Sequence, residues 1–245
     1  MHFTSEASSN GVLERTFTLG DITGVLWSPD SVNSGGPLLL SGHSGGMHKK
    51  APGLVAGALH HVTAHGFTVA AIDAPGHGDR PRSTQDEQAV DAIRHARASG
   101  ESIAPLVVEY NLSVAQRAVP EWQATLDALQ ALPEIGTTAR VGYGGMNLGV
   151  VTGILLAPVE SRIAALSLGG VFVDDALLAA AGKVTVPVHY RIPWDDDHLD
   201  RNAGIALFDA FGATDKTLHA HSGSLHQVPD HERDCAARFF VEHLR

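Results

Sequence analysis

The feature that most constrains the fold is a regular alternation of short apolar runs with longer amphipathic stretches along the 245 residues. The apolar runs are rich in Val, Ile, Leu and Ala and are bounded by Gly or Pro, as is typical of strands buried on both faces of a sheet. The amphipathic stretches between them have the length and periodicity of helices. The pattern therefore predicts an α/β fold with a doubly wound, mostly parallel sheet of eight strands.

The predicted elements follow from the positions of these runs. Strands are predicted at 14–19, 22–27, 37–41, 68–73, 140–143, 163–168, 186–192 and 217–220. Helices are predicted at 51–64, 121–131, 148–158, 200–211 and 230–244. Only Gly20 and Asp21 join the first two strands, which is too short for a crossover, so these strands should form an antiparallel hairpin at one edge.

One connection is longer than a single crossover helix requires, because 66 residues separate Asp73 from Arg140. Residues 83–117 have a helix-forming composition and should add two helices. They are either a surface insertion or a small helical cap over the carboxyl ends of the strands, where ligands bind in open α/β sheets. We favour the cap, and therefore predict a single domain over 1–245 with a helical cap insertion at 83–117.

Composition excludes several classes of partner. The net charge is −10 and the chain has no basic cluster, which argues against binding to nucleic acid or to an anionic membrane. No apolar run approaches the roughly 20 residues that span a bilayer, and the polar N-terminus lacks the layout of a signal peptide. The single cysteine, Cys235, fits a reducing compartment. We expect a cytoplasmic protein with a small-molecule substrate, and a homodimer stays open.

The sequence gives no sign of a cofactor. It has neither the glycine pattern of a dinucleotide site nor that of a phosphate loop. Its 15 histidines do not form a zinc motif such as His-Glu-x-x-His. We therefore expect no cofactor and no metal; hydrolysis by a metal held by His43, His77 and His226 is a remote alternative.

The strongest motif lies at 145–149, where a predicted strand runs into Gly-Met-Asn-Leu-Gly and then into a helix of small residues. This is the pattern of the nucleophile elbow, Gly-x-Ser-x-Gly, except that Asn147 stands where the serine belongs. Here the chain resembles the α/β-hydrolase superfamily, and more narrowly its dienelactone-hydrolase-like and acyl-esterase-like members. The resemblance extends from about Gly36 to the end of the chain.

The resemblance implies roles for two further loops. The segment Ser-Gly-His-Ser-Gly-Gly at 41–46 is similar to the family's His-Gly loop, so the backbone N–H of Ser44, beside His43, would supply half of an oxyanion hole. The N–H of Leu148 would supply the other half. The Asp-Ala-Pro-Gly-His-Gly segment at 73–78 is similar to a family segment that shapes the pocket and is structural.

The resemblance also implies an acid and a base. The family acid follows the strand at 186–192, and Asp196 fits it better than the fallback Asp195 because an apolar residue, Leu199, follows three positions later. The family histidine precedes the C-terminal helix, which favours His226. The family often has Gly-Gly-His at this point, whereas this chain has Gly-Ser-Leu-His.

Asn147 does not fit the family's chemistry. An asparagine has no ionisable hydroxyl, and its amide nitrogen is not nucleophilic, so it cannot be acylated as a serine is. It does tolerate the positive φ that an elbow residue needs. Two explanations stay open: an inactivated form of a serine hydrolase, or a natural variant, which we favour because Gly144 and the His-Ser-Gly-Gly loop also depart from the family.

The sequence thus predicts an α/β-hydrolase-fold enzyme, like a carboxylic ester hydrolase, that acts on an ester, lactone or other acyl carbonyl of a small organic substrate. Asn147, Asp196 and His226 would form the catalytic site. Two alternatives remain. One is a non-hydrolytic enzyme, such as a lyase, cyclase or isomerase, that uses His226 and Asp196 as a dyad. The other is a catalytically inactive binding protein.

Overall fold

A computed structural model describes residues 1–31, 36–225 and 227–245. Within them lie nine strands and seven helices. The strands are β1 (His2–Ser9), β2 (Val12–Leu19), β3 (Ile22–Pro29), β4 (Leu38–Gly42), β5 (Thr68–Ile72), β6 (Val141–Gly145), β7 (Ile163–Leu168), β8 (Val188–Pro193) and β9 (Lys216–His221). The helices are α1 (Pro52–His65), α2 (Thr84–Ser99), α3 (Ala104–Gln130), α4 (Leu148–Leu156), α5 (Asp175–Ala181), α6 (Arg201–Ala210) and α7 (Asp230–Leu244).

All nine strands belong to one sheet in the order β1-β2-β3-β5-β4-β6-β7-β8-β9. Strands β1 to β3 are antiparallel to their neighbours, and every pair from β5–β4 to β8–β9 is parallel. The predicted α/β fold with a mostly parallel sheet is confirmed, as is the β2–β3 hairpin. No described helix is long and apolar enough to cross a membrane.

The predicted count of eight strands is wrong, because β1 adds a ninth at the edge. Its residues are almost all exposed, so its sequence lacks the apolar alternation by which strands are recognised. It forms by pairing with β2 through a two-residue turn at Asn10-Gly11, where both residues have positive φ. Asn-Gly at positive φ is the preferred hairpin turn, so the local signal for this strand was the turn.

Helix α3 also differs from its prediction. The helix predicted at 121–131 is the second half of one 27-residue helix that runs through Pro120. The buried face continues across the proline, from Ala118 to Trp122, while Pro120 itself is exposed. Burial of this face offsets the hydrogen bond that the proline removes.

Helices cover both faces of the sheet and form two cores. One face packs against α1 and α7, and the other packs against α4 and α6, with α3 and α5 in contact with α4. Strand β4 pairs with β6 so that Gly42 lies opposite Gly145. The loop after β4 and the turn after β6 therefore leave the sheet side by side.

The predicted insertion at 83–117 contains α2 and the first half of α3. Ser83 caps α2 in a reciprocal capping box with Asp86, and Asp86 pairs with Arg117 of α3 at 2.6 Å. In the first half of α3, the Tyr110 ring stacks on His77 at 6.0 Å, beyond the end of β5. That these helices act as a cap stays a prediction.

A buried ion pair joins the loop that follows β4 to the loop that follows β5. Asp73 follows β5 and accepts hydrogen bonds from the backbone N–H and the ammonium of Lys49, from Thr23 and from the N–H of Asp79. Burial raises the pKa of Asp73, but these hydrogen bonds outweigh it and hold the pKa below its ordinary value. The network supports the structural role expected for the 73–78 segment.

Replacing Asp73 should destabilise the fold. In Asp73→Asn the Lys49 ammonium, 8% exposed, loses its buried counter-charge, so we expect a loss of about 3 kcal/mol in urea unfolding at pH 7. Because the folded pKa of Asp73 is lowered, its contribution is present at neutral pH and lost as the pH falls below about 4. The gap between variant and parent should therefore shrink in acid.

The matched control is Asp79→Asn, which removes the other carboxylate bound to Lys49. Asp79 is 74% exposed, so its loss should cost less than about 1 kcal/mol. Equal effects of the two substitutions would contradict the assignment of stability to the buried pair.

Candidate active site

The turn between β6 and α4 has the backbone geometry of a nucleophile elbow. Asn147 has φ 50° and ψ −108°, a conformation that costs about 1–3 kcal/mol and persists only where the surroundings impose it. Its N–H donates to the carbonyl of Gly170 at 3.0 Å. A Cβ on Gly145 would lie 2.6 Å from the backbone of Gly149, and one on Gly149 would lie 2.6 Å from the Gly42 carbonyl. Only glycines allow this approach of helix, turn and strand.

The Asn147 side chain is held by a second asparagine. Asn111, buried on α3, donates from Nδ2 to Oδ1 of Asn147 at 2.6 Å. This contact fixes the plane of the Asn147 amide and leaves its Nδ2 as the free donor among the described contacts. Sequence reasoning missed Asn111. The available signal was a lone Asn on the apolar face of a helix, four positions before Ala115.

The loop after β4 lies against this turn, as its strand pairing predicts. The Ser44 hydroxyl is 3.4 Å from the Met146 carbonyl. Among the described residues, neither the N–H of Ser44 nor that of Leu148 donates a hydrogen bond to the protein. Both N–H groups are therefore free to bind an oxygen of a ligand.

His43 orders this loop through both of its ring nitrogens. Its Nδ1 bonds the Ser44 carbonyl at 2.8 Å, so that nitrogen carries the proton, and its Nε2 accepts from the N–H of Ala74 at 3.0 Å. Burial lowers the pKa of His43 to about 4, so the ring is neutral at physiological pH. His43 therefore positions the backbone of Ser44.

The loop after β8 distinguishes the two candidate acids. Asp196 accepts from the N–H groups of His198 and Leu199 with one oxygen and from that of Leu225 with the other, at 2.8 to 3.0 Å. Burial raises the pKa of Asp196, but these backbone hydrogen bonds outweigh it and lower the pKa overall. Asp195 is exposed, and among the described residues its one hydrogen bond comes from the N–H of Gly223 at 3.4 Å. The geometry thus favours Asp196.

The predicted base, His226, lies outside the described residues. Its neighbour Leu225 is the residue whose N–H binds Asp196, so the acid contacts the segment that carries His226. His221, the other histidine near this point, is buried and uses Nδ1 on the Ser222 carbonyl. His221 is therefore held by the backbone next to it.

A cavity of about 410 Å³ opens beside these loops and extends between the sheet and helices α1 and α7. Ser44, Met146 and Leu225 line it, as does Gly144, where a Cβ would meet no atom closer than 3.6 Å. Arg191 of β8 also lines it, and the Nε of Arg191 has no hydrogen-bond partner among the described residues. The absence of a side chain at Gly144 therefore leaves this part of the cavity open.

The cavity was not predicted, and it changes the interpretation of the α1 histidines. His60 and His61 resemble surface helix residues in sequence, yet both line the cavity. Burial lowers the pKa of His61 to about 3. The helical pattern alone does not show which side of α1 faces an internal space.

The order of the parallel strands and the strained turn between β6 and α4 are those of the α/β-hydrolase fold, and the chain has this fold. Solved structures with the same fold include an esterase from an Arctic intertidal metagenomic library, bound to polyethylene glycol. It is 28% identical, with a TM-score of 0.78 and full coverage of both chains. The resemblance to the superfamily is thereby confirmed.

Two more distant structures share the fold. An acetyl xylan esterase from Paenibacillus sp. R4 is 13% identical with a TM-score of 0.72, covering 99% of this chain and 88% of its own. A dienelactone hydrolase from Anabaena variabilis is 20% identical with a TM-score of 0.64, covering 98% and 99%. No protein-family model and no curated protein matches the chain.

Proposed function

We propose that this chain is an ester-hydrolase-like enzyme that acts on an ester, lactone or other acyl carbonyl of a small organic substrate. The observation that carries the proposal is the pair of free N–H groups of Ser44 and Leu148, which flank the strained turn at Asn147. Oriented backbone donors of this kind stabilise the negative charge that develops on a carbonyl oxygen. The cavity, which Ser44 and Met146 line but Asn147 and Leu148 do not, offers room for a small acyl or alcohol group next to this turn.

In the proposed reaction, water replaces the missing serine hydroxyl. His226 takes a proton from water, the water oxygen bonds the acyl carbon, and the carbonyl electrons move to the oxygen held by Ser44 and Leu148. The tetrahedral centre then expels the alcohol, which takes the proton back from His226. Asp196 keeps His226 oriented and offsets its positive charge. The free Nδ2 of Asn147 would orient the carbonyl or the water.

A second candidate is supported by the contact between Asn111 and Asn147. A fixed amide is suited to holding a substrate oxygen while His226 and Asp196 remove a proton from carbon, as in a lyase, cyclase or isomerase. A binding protein without catalysis would use the same pocket. The three hypotheses differ in two measurable ways: whether a product forms, and whether that product has gained the elements of water.

The function is tested by assaying purified chain on a panel of aryl esters, small lactones and acyl conjugates. We expect turnover that falls by about 100-fold or more in His226→Ala, the usual contribution of a general base. Asp196→Asn should lower kcat, whereas the matched Asp195→Asn should leave it unchanged because Asp195 is exposed. Turnover indifferent to His226→Ala would overturn the catalytic role, and ligand binding without turnover would favour the binding protein.

The chain should not react with fluorophosphonate reagents. These reagents label a serine activated by a neighbouring base, and Asn147 occupies the place where that serine would stand. Intact-protein mass spectrometry after incubation should show the unmodified mass. A stable adduct mapped to Ser44 or Ser41 would move the nucleophile to the loop after β4.

A further inference from the structure

A group of histidines and one glutamate lies apart from the candidate active-site residues, on the α7 face of β8 and β9. His189 of β8 is 1% exposed, and its Nδ1 is 3.1 Å from the hydroxyl of Ser167. Its Nε2 is buried and has no partner among the described residues. A buried ring nitrogen without a hydrogen-bond partner costs free energy. Such a nitrogen is therefore expected to bind a ligand or to face a hydrogen-bonding group that has no other partner.

Two further ligand groups face His189. The His219 ring of β9 lies 4.4 Å from the His189 ring, centroid to centroid, and its Nδ1 is 3.1 Å from Oε2 of Glu232. Glu232 lies in the first turn of α7 and is buried. One ligand atom from each of the three residues lies within 4.8 Å of those of the other two.

The neighbouring charges do not account for this arrangement. Arg233 pairs with Asp230; the charge of Arg191 is close enough to interact with Glu232 and His189, but Arg191 makes no ion pair with Glu232 among the described residues. The oxygens of Glu232 instead face His219 and, at 3.5 Å, the exposed His231. A hydrogen bond between His219 and Glu232 alone would leave the Nε2 of His189 unsatisfied.

We propose that His189, His219 and Glu232 bind a divalent transition-metal ion, with zinc best suited to the ligand set. Two imidazoles and one carboxylate with water in the fourth position make a common tetrahedral zinc site. Bonds of about 2.0–2.2 Å place such ligand atoms a little over 3 Å apart, close to the His219–Glu232 separation. Ser167 would fix the His189 ring as metal-bound histidines are usually fixed, through the other nitrogen.

An ion bound at this site would restrain the segment that follows β9. His219 is in β9 and Glu232 is in α7, so an ion bound to both joins the two ends of residues 220–231. That segment includes His226 and Leu225. Metal binding should therefore slow hydrogen exchange in this segment, whatever reaction the active site performs.

The test uses the full chain, freed of metal with a chelator and titrated with zinc chloride. We expect one tightly bound zinc, a Tm raised by about 5–10 °C at 100 times Kd, and tetrahedral bands when cobalt replaces zinc. Glu232→Gln and His219→Ala should each weaken binding by about 100-fold or more. Because His189→Ala removes a buried ring, Ser167→Ala serves as a milder variant, with an expected loss of about 10-fold.

Two controls separate this site from other histidines. His60→Asn removes a half-buried histidine outside the proposed site that also lies near a carboxylate, 3.2 Å from Asp234, and should leave zinc affinity unchanged. His226→Ala should also keep the tight site. The proposal is overturned if no zinc binds, if binding survives both Glu232→Gln and His219→Ala, or if it is lost in either control.

Discussion

Restoring a serine at the elbow, by Asn147→Ser, should raise the hydrolysis of short-chain aryl esters by about 10³-fold or more. The new hydroxyl would occupy a turn whose strained backbone is already in place, beside the free N–H groups of Ser44 and Leu148. Loss of the nucleophile from a complete triad costs on the order of 10⁶ in kcat, which sets the upper limit of the gain. The measurement is kcat/KM for the parent and the variant at pH 8.

The control for this gain is Asn147→Ala, which removes the amide without supplying a hydroxyl and should show no increase. A gain below about tenfold from Asn147→Ser would mean that the pocket no longer places an acyl carbonyl against these donors, since a displacement of about 1 Å can cost 100-fold. That outcome would favour the dyad enzyme, in which Asn147 holds the substrate. If Asn147→Ser also lowered the rate of the chain's native reaction, that result would further support the dyad enzyme.

Adding His226→Ala to the Asn147→Ser variant should abolish nearly all of the gained activity. A serine without its base is a poor nucleophile, and triad members act as a unit, so the loss should approach the whole gain. Single-turnover acylation by an activated aryl ester measures this step directly.

Asp196→Asn and Asp195→Asn in the same background are the matched pair for the acid. Asp196 binds the backbone of Leu225, so Asp196→Asn should lower the gained activity. Asp195 is exposed, so Asp195→Asn should leave that activity unchanged. Equal activity of the Asn147→Ser variant with and without His226 would rule out His226 as the base. If only Asp195→Asn lowered the activity, the role of the acid would be assigned to Asp195 instead of Asp196.

The motifs predicted the parts of the site that depend on neighbouring residues. Gly145 and Gly149 flank Asn147 because a Cβ at either position would collide with backbone, and that requirement is visible in five consecutive residues. The order of elbow, acid and histidine along the chain gave the superfamily. Composition gave the −10 charge and the apolar runs from which the parallel sheet is built.

Contacts between distant residues needed the tertiary structure. Asp195 and Asp196 are adjacent acids in the sequence, and only the packing of 222–225 against the loop after β8 gives them different backbone contacts. Asn111 reaches Asn147 from the part of α3 that lies within the long insertion. Neither contact leaves a local pattern, because the partners are 29 and 36 residues apart.

The same reason explains the cavity and the histidine cluster. A zinc motif is recognised by ligands a few residues apart, whereas His189, His219 and Glu232 come from two strands and a helix. The sequence by itself determined the alternation of strands and helices, the glycine-bounded elbow and the absence of a hydroxyl at Asn147. The tertiary structure decided which backbone groups each of the two acids contacts, how the Asn147 amide is held and which histidines meet, because burial and distance depend on how separate elements pack.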